Sequence, residues 1–436
     1  MARPIAPVRQ WRSLSSGPFG KGPRRRRPAR PGRTVLRVIL ATAVTCVFLL
    51  GWSVGQALTV PGGGTFSERM AEWARNHYLG PLVTFGEWLS YNPPKRGGNP
   101  NVSFDRLGGS ALVSCAHRGV GTHLGAGTRA GKGTSAGSSP VARASNGKAC
   151  PKQQPGLRPI IPPNLGSPAG APRPGEGVWK VAVTVHGVPA LLKTYVRQSR
   201  TYSSYYVGIV SMDPRLLKFS LRPGTQDPGY GNWGAPMDLP PGHRRGVVAT
   251  FNSGFRVSSS MGGFFLHGHF DGNLVRGAAS EVYYRDGRMS IGVWGSGPGF
   301  HLGPTVTAVR QNLKLIVIHG RVPANVNQNV LSNWGATLGG GYNVWRSGVG
   351  VTHDGRIIFV YGPALDVTTL AHLLQRAGCW NAMELDINPD WTDFMYYLPH
   401  HHPANPTPVN LLSGQLQPPY RYYSISNRDF TAVFAR

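Results

Sequence analysis

Acidic residues and cysteines are scarce in this chain. Across 436 residues, 18 Asp and Glu stand against 46 Lys and Arg. The four cysteines, Cys46, Cys115, Cys150 and Cys379, include no pair at metal-ligand spacing. That excludes the common zinc and iron–sulfur frameworks, and four thiols in so long a chain cannot supply a disulfide scaffold. A Cys115–Cys150 bridge, open to the chain outside the cytoplasm, would staple a loop. No G-x-S-x-G elbow, Walker loop or dinucleotide fingerprint occurs, so the commonest hydrolase, NTPase and oxidoreductase scaffolds are not indicated. The carboxylates do not follow EF-hand spacing. No metal site is expected, and the cofactor is left unknown.

The basic excess is uneven. Residues 1–37 hold 11 Lys or Arg and no acid. Arg24-Arg25-Arg26-Arg27 stands just ahead of an apolar run from Val35 to Val60, and Val38 to Val54 carries no charge. A bilayer is spanned by about 20 apolar residues. The positive flank places the N-terminal end in the cytoplasm and the rest of the chain outside. A retained single-pass anchor is the reading; a cleaved signal peptide, with Gly55-Gln56-Ala57 as a weak site, is its rival. Nucleic acid is not an expected partner, because the basic tail lacks interleaved aromatics.

The chain then divides by composition. Residues 1–34 form a basic cytoplasmic tail, 35–60 a transmembrane signal anchor and 61–92 a juxtamembrane stalk. In the stalk Phe66, Met70, Trp73 and Ala74 recur at helical spacing. Residues 93–176 are rich in glycine and proline and read as a disordered linker. Residues 177–436 are β-rich and long enough for a sizeable core. Asp286-Gly287 and Asp354-Gly355, each flanked by β-formers, predict two hairpins with positive φ angles at the turn. One helix is predicted after Asp366, with Leu370, Leu373, Leu374 and Ala377 as its apolar stripe and Gly378 as its stop. Many strands with few helices predict an α+β fold, a mixed β-sheet domain.

Three constellations could carry chemistry. Asn252-Ser253-Gly254-Phe255 pairs glycine with an aromatic, which suits close approach to a sugar; the plainer reading is a strand end with a bulge. Trp345-Arg346-Ser347-Gly348-Val349-Gly350 offers an arginine fork for a phosphate, with Arg310 as a second candidate. Each is more often an ion-pair residue. Four of the 18 acids are Glu384, Asp386, Asp390 and Asp393. On an extended strand Glu384 and Asp386 point to one side, and like charges so placed raise one pKa, as general-acid work requires. The rival reading is a surface turn whose Asp and Asn side chains satisfy local N–H groups. His400-His401-His402, in a proline-rich stretch, reads as a solvated loop.

Taken in order, these segments resemble the phosphodiester glycosidase family. Asn252-Ser253-Gly254-Phe255 is similar to an Asn-Gly-Gly-Phe-Phe-like opening motif. Arg346-Ser347-Gly348-Val349-Gly350, ahead of Asp354-Gly355, is similar to an Arg-Thr/Ser-Ala/Gly-x-Gly motif before a hairpin. The helix over Val367–Ala377 follows, and Leu385-Asp386 aligns with a closing Leu-Asp-Gly-Gly-Gly-Ser. The resemblance covers residues 245–436 well and 177–245 weakly. It departs at Ile387-Asn388-Pro389-Asp390, which stands where the family has its glycines and which looks like an actinobacterial-type branch. The resemblance implies cleavage of the glycosidic bond in a sugar-1-phosphate diester. Asn252, Arg346 and Asp386 are carried over from it. Glu384 joins Asp386 and Arg346 as a catalytic candidate on chemical grounds, and Arg310, Phe255 and Asp390 join Asn252 as substrate-binding candidates. The alternative is a non-catalytic glycan- or anion-binding module of the cell envelope.

Overall fold

The computed structural model describes residues 31–59, 66–107, 157–327, 331–335, 342–399 and 402–436. The Arg24–Arg27 cluster, Cys115, Cys150, His400, His401 and the central part of the glycine-rich segment lie outside them. The chain divides into two units, Met1–Gly55 and Gln56–Arg436. The described part of the first belongs to α1 (Pro31–Thr59). Its Thr34–Thr59 stretch is long and apolar enough to cross a membrane, and among the described residues no other helix is.

The second unit opens with two helices, α2 (Phe66–Asn76) and α3 (Gly80–Ser90). Strands follow: β1 (Lys180–Val185), β2 (Val188–Arg197), β3 (Tyr206–Met212), β4 (Leu217–Arg222) and β5 (Val247–Asn252). Next come β6 (Phe264–Leu266), β7 (His269–Asp271), β8 (Ala279–Tyr284), β9 (Met289–Val293), β10 (Val306–Gln311) and β11 (Leu315–Val317). A short helix α4 (Leu331–Trp334) precedes the hairpin β12 (Val344–Thr352) and β13 (Ile357–Leu365), and α5 (Val367–Arg376) leads to β14 (Cys379–Glu384). The chain closes with β15 (Phe394–Leu398), β16 (Thr407–Asn410) and β17 (Phe430–Ala435).

The fold is α+β with few helices, as expected. Three sheets form, ordered β1-β2-β3-β13-β12-β14-β11, β7-β6-β10-β8-β9 and β16-β15-β5-β17-β4. Every named strand pair is antiparallel. The first and third sheets meet through Phe251, Phe359 and Phe394, whose ring centroids lie 5.0 to 6.0 Å apart.

Both predicted hairpins form, but only the glycine of each Asp-Gly pair has a positive φ: 81° at Gly287 and 86° at Gly355. Each aspartate instead caps its turn. Asp286 accepts from the Arg288 N–H at 2.9 Å, and Asp354 accepts from the Thr352 hydroxyl. These are turns with one left-handed residue, not the doubly left-handed kind.

The predicted helix is α5. Asp366 caps it by accepting from the Thr369 N–H at 2.6 Å, and Gly378 at φ 92° follows its end. The glycines in Arg346-Ser347-Gly348-Val349-Gly350 are strand residues of β12. A Cβ on Gly348 would lie 2.9 Å from the Leu374 side chain, and one on Gly350 would lie 2.5 Å from the Cys379 sulfur. Their missing side chains let α5 and β14 close on the sheet.

Part of the expected linker packs on the domain. Phe104 is buried in the main core with Val102, Leu107 and Leu157 beside it. Glu176 is buried against Arg197, whose backbone N–H donates to it at 2.8 Å. A few apolar side chains and one ion pair hold these flanks, despite a composition that suggested disorder over the whole segment.

Candidate functional site

The first and third sheets are joined where three strand ends converge. Antiparallel pairing sets Phe430 of β17 opposite Asn252 of β5, so the residues before β17 fall beside those after β5. On the other side, Leu385 N donates to Ser347 O at 2.9 Å and Asp386 N donates to Ser253 O at 3.2 Å. Asn252 clamps the junction. Its Nδ2 donates to Ser253 O and Ser347 Oγ, and its Oδ1 accepts from Asp393 N at 3.1 Å. A buried amide with both ends occupied holds the site together.

β14 ends at Glu384, and there the two carboxylates part. Glu384 turns inward to Arg346, whose Nη1 donates to its Oε1. The same guanidinium donates to Leu365 O at 2.9 Å and Tyr342 O at 3.3 Å. Burial pushes the Glu384 carboxyl up to about 7, against the pull of Arg346. Arg310 is deeper still. Its Nε donates to Asp429 Oδ2 at 2.7 Å, and its other groups reach Gln311 O and Phe255 O. Neither Arg346 nor Arg310 lines a cavity around Asp386. Both guanidiniums are engaged with buried carboxylates, Arg346 with Glu384 and Arg310 with Asp429.

Asp386 faces a cavity of about 280 Å³, lined also by Phe255, Trp391, Arg428 and, from α2 and α3, Glu72 and Glu87. Arg428 Nη2 lies 3.2 Å from Asp386 Oδ2 and also donates to Gly254 O at 3.2 Å. Its Nε is 3.6 Å from Asp227 Oδ2, and Arg310 Nη2 is 3.5 Å from the same oxygen. A buried charge ladder therefore runs Asp386–Arg428–Asp227–Arg310–Asp429. Burial raises the Asp386 pKa, and Arg428 opposes the rise. The Arg428 and Arg421 guanidiniums stand 5.2 and 5.1 Å from the Trp391 ring centroid, within cation–π range.

The turn after Asp386 uses its own side chains on its own backbone. Asn388 N donates to Asp386 Oδ1 at 2.9 Å, and Asp390 N donates to Asn388 Oδ1 at 2.9 Å. The side-chain bonds to local N–H groups that the turn reading expects are present, in a turn whose Asp386 is buried. Pro389 has no N–H, so this turn has no row of free amides with which to wrap an anion. Asp390 faces an adjoining hollow of about 320 Å³ under α2 and α3. Burial, and then the neighbouring Glu68, push its carboxyl up to about 6.

Two cavity residues, Arg428 and Glu72, escaped the sequence reading. Ser426-Asn427-Arg428-Asp429 carries no recognisable motif; only the β17–β5 register brings it to the site. Glu72 lay on the polar face of an apparent stalk helix. It is only 5% exposed, and its Oε2 has no hydrogen-bond partner among the described residues. A hint was available in Glu68 and Glu72, one turn apart on a helix that also carries Trp73.

Residues 246–386 match the model of the phosphodiester glycosidase family. Among solved structures, the chain is similar to the catalytic domain of zebrafish N-acetylglucosamine-1-phosphodiester alpha-N-acetylglucosaminidase auto-inhibited by its pro-peptide. Identity is 14% over 59% of this chain and 88% of that one, with a TM-score of 0.35. It is also similar to a hypothetical protein from Synechocystis, at 15% identity over 58% of this chain and 64% of that one, with a TM-score of 0.30. No curated protein matches it. The family match thus falls on the segment that runs from β5 to Asp386.

Proposed function

We propose that the protein is a membrane-anchored hydrolase that cleaves the bond between the anomeric carbon and oxygen in a sugar-1-phosphate diester outside the cytoplasm. The observation that carries this reading is the Asp386–Arg428 pair facing one cavity. A carboxyl group beside the anomeric carbon can act as acid, base or nucleophile. Charge grows on the departing phosphate, and a fixed guanidinium stabilises it there. Arg428 takes this role because the turn after Asp386 has consumed its amides and Arg346 is bound to Glu384. Phe255 and Trp391 give apolar walls for the sugar ring. Glu72, with a free carboxylate oxygen, is placed to accept from a sugar hydroxyl or to act as the second carboxyl group. The α1 helix supports the anchor by length and composition, and the basic run before it supports a cytoplasmic N-terminus.

Hydrolysis in 18O-water tests the reaction. Label in the sugar hydroxyl is expected, since water replaces phosphate at carbon. Label in the phosphate would mean that the P–O bond breaks and the reading fails. The departure from the family at Ile387-Asn388-Pro389-Asp390 favours a second reading, a binding module. Glycan or phosphodiester binding with no turnover would establish that one.

A further inference from the structure

Helices α2 and α3 have two dissimilar sides. Toward the cavity they present Glu72, Arg75, Thr84 and Glu87. Away from it, large apolar side chains are open to solvent: Tyr78 is 96% exposed, Leu82 66%, Phe85 57% and Leu89 64%, with Leu79 beside them at 38%. Leu82, Phe85 and Leu89 recur at helical spacing, while Thr84 and Glu87 occupy the other side of α3. A cluster of exposed apolar side chains on one helix face of a folded domain points to an interaction surface.

The position of the face in the chain identifies what covers it. α1, of membrane-crossing length, ends at Thr59, and α2 begins at Phe66. The six intervening residues, seven Cα-to-Cα steps, reach at most about 25 Å. The α2–α3 pair is therefore tethered within that reach of a bilayer that α1 would cross, and an apolar helix face inserts about 5–10 Å into the headgroup boundary. Lys95 and Arg96, both exposed just beyond α3, suit the anionic headgroups at that boundary. An exposed tyrosine at the rim is the side chain that interfaces favour.

We propose that the Tyr78–Leu89 face docks on the membrane and that the cavity on the opposite side of these helices takes a lipid-embedded glycosyl phosphate. A helix with its side chains is about 10–12 Å across. A cavity on one side of α3 thus stands at headgroup height when the other side is buried. A sugar linked through phosphate to a lipid presents its anomeric carbon at that height. The choice of substrate class rests on the hydrolase reading above; the docking face does not.

The test uses the full chain in vesicles of phosphatidylcholine and phosphatidylglycerol that carry a diazirine phospholipid. Photolabel is expected in residues 78–89 as well as in α1. Label confined to α1, or a face covered by a second copy of the chain and cross-linked without lipid, would overturn docking. The Leu82→Gln/Leu89→Gln double variant should lose the 78–89 label. It should turn over a lipid-embedded glycosyl phosphate about tenfold more slowly and leave a soluble sugar phosphodiester unaffected. Equal losses on both substrates would overturn the substrate assignment. If the unaltered protein turns over neither substrate, the hydrolase reading and with it the substrate class fail, while the label map still decides the docking face.

Discussion

Arg428 Nη2 stands 3.2 Å from Asp386 Oδ2, although the two residues are 42 positions apart and only Asp386 falls within the family match. Strand pairing makes the meeting. β5 lies between β15 and β17, so the segment entering β17 arrives at the end of β5, next to the segment leaving β14. Arg428 also approaches Asp227, which places one guanidinium between two carboxylates. A guanidinium shared in this way is already oriented when negative charge develops on a leaving group.

Asp386→Asn keeps the shape and the oxygen that accepts from Asn388 N. It removes the ionisable group. Turnover should fall about a hundred- to ten-thousandfold while the thermal midpoint stays close to that of the parent protein. Near-normal kcat in a folded variant would move the chemistry to another residue, and Glu72 is the first to examine.

Arg428 separates binding from folding. In Arg428→Lys the charge remains but the fork is lost. The variant should fold, and its KM for a phosphodiester should rise while its KM for a neutral aryl glycoside does not. Arg428→Ala leaves Asp386 and Asp227 buried without their cation, and a loss of about 3–5 kcal/mol in denaturant unfolding is expected. A lysine variant with unchanged KM for both substrates would remove Arg428 from phosphate recognition.

The Arg346–Glu384 pair should behave differently. Both side chains are buried, and Arg346 also bonds two backbone carbonyls. Arg346→Met strands Glu384 and should cost about 3–5 kcal/mol of stability, with KM of the surviving folded protein little changed. Adding Glu384→Gln should recover part of the loss, because the uncompensated charge is gone. Unaltered unfolding with a raised KM would instead return Arg346 to the phosphate.

Local patterns in the sequence were readable where local physics decides. Asp366 and Gly378 bracket α5 because a cap and a left-handed stop act within one turn. Gly287 and Gly355 mark hairpins because only their own φ angles are at issue. Asp386 was conspicuous because acids are few. What pairs with Asp386 was hidden, since a long-range register, not spacing, delivers Arg428. Glu72 was hidden for the opposite reason: its helix was read as a free stalk, and polar residues on a free helix face water. The buried side of α2 becomes visible only when the 388–391 turn is placed against it. Arg346 and Arg310 were chosen for what a guanidinium can do, while their burial was settled by β12 and β10 being inner strands of their sheets.

Stability should decline as pH rises through neutrality. Glu281 on β8 is fully buried; Tyr283 donates to its Oε2 at 3.1 Å, and its Oε1 has no hydrogen-bond partner among the described residues. Burial pushes its pKa from 4.5 up to about 8, against the pull of Arg310. An acid whose pKa is raised by folding contributes its full stability below the unfolded value. It loses that stability as pH climbs through the folded value, because the native state then binds more protons than the unfolded chain. Asp390 and Asp393, both raised to about 6, act in the same direction over the lower part of the window. The thermal midpoint should therefore fall between pH 4.5 and about 8. Glu281→Gln keeps the acceptor for Tyr283 and has no proton to lose, so the decline above pH 6 should flatten in that variant. Scanning calorimetry across this range checks both slopes. A parent midpoint that rises with pH would show that Glu281 enters the core as an anion stabilised by Arg310, and that the ion pair outweighs desolvation there.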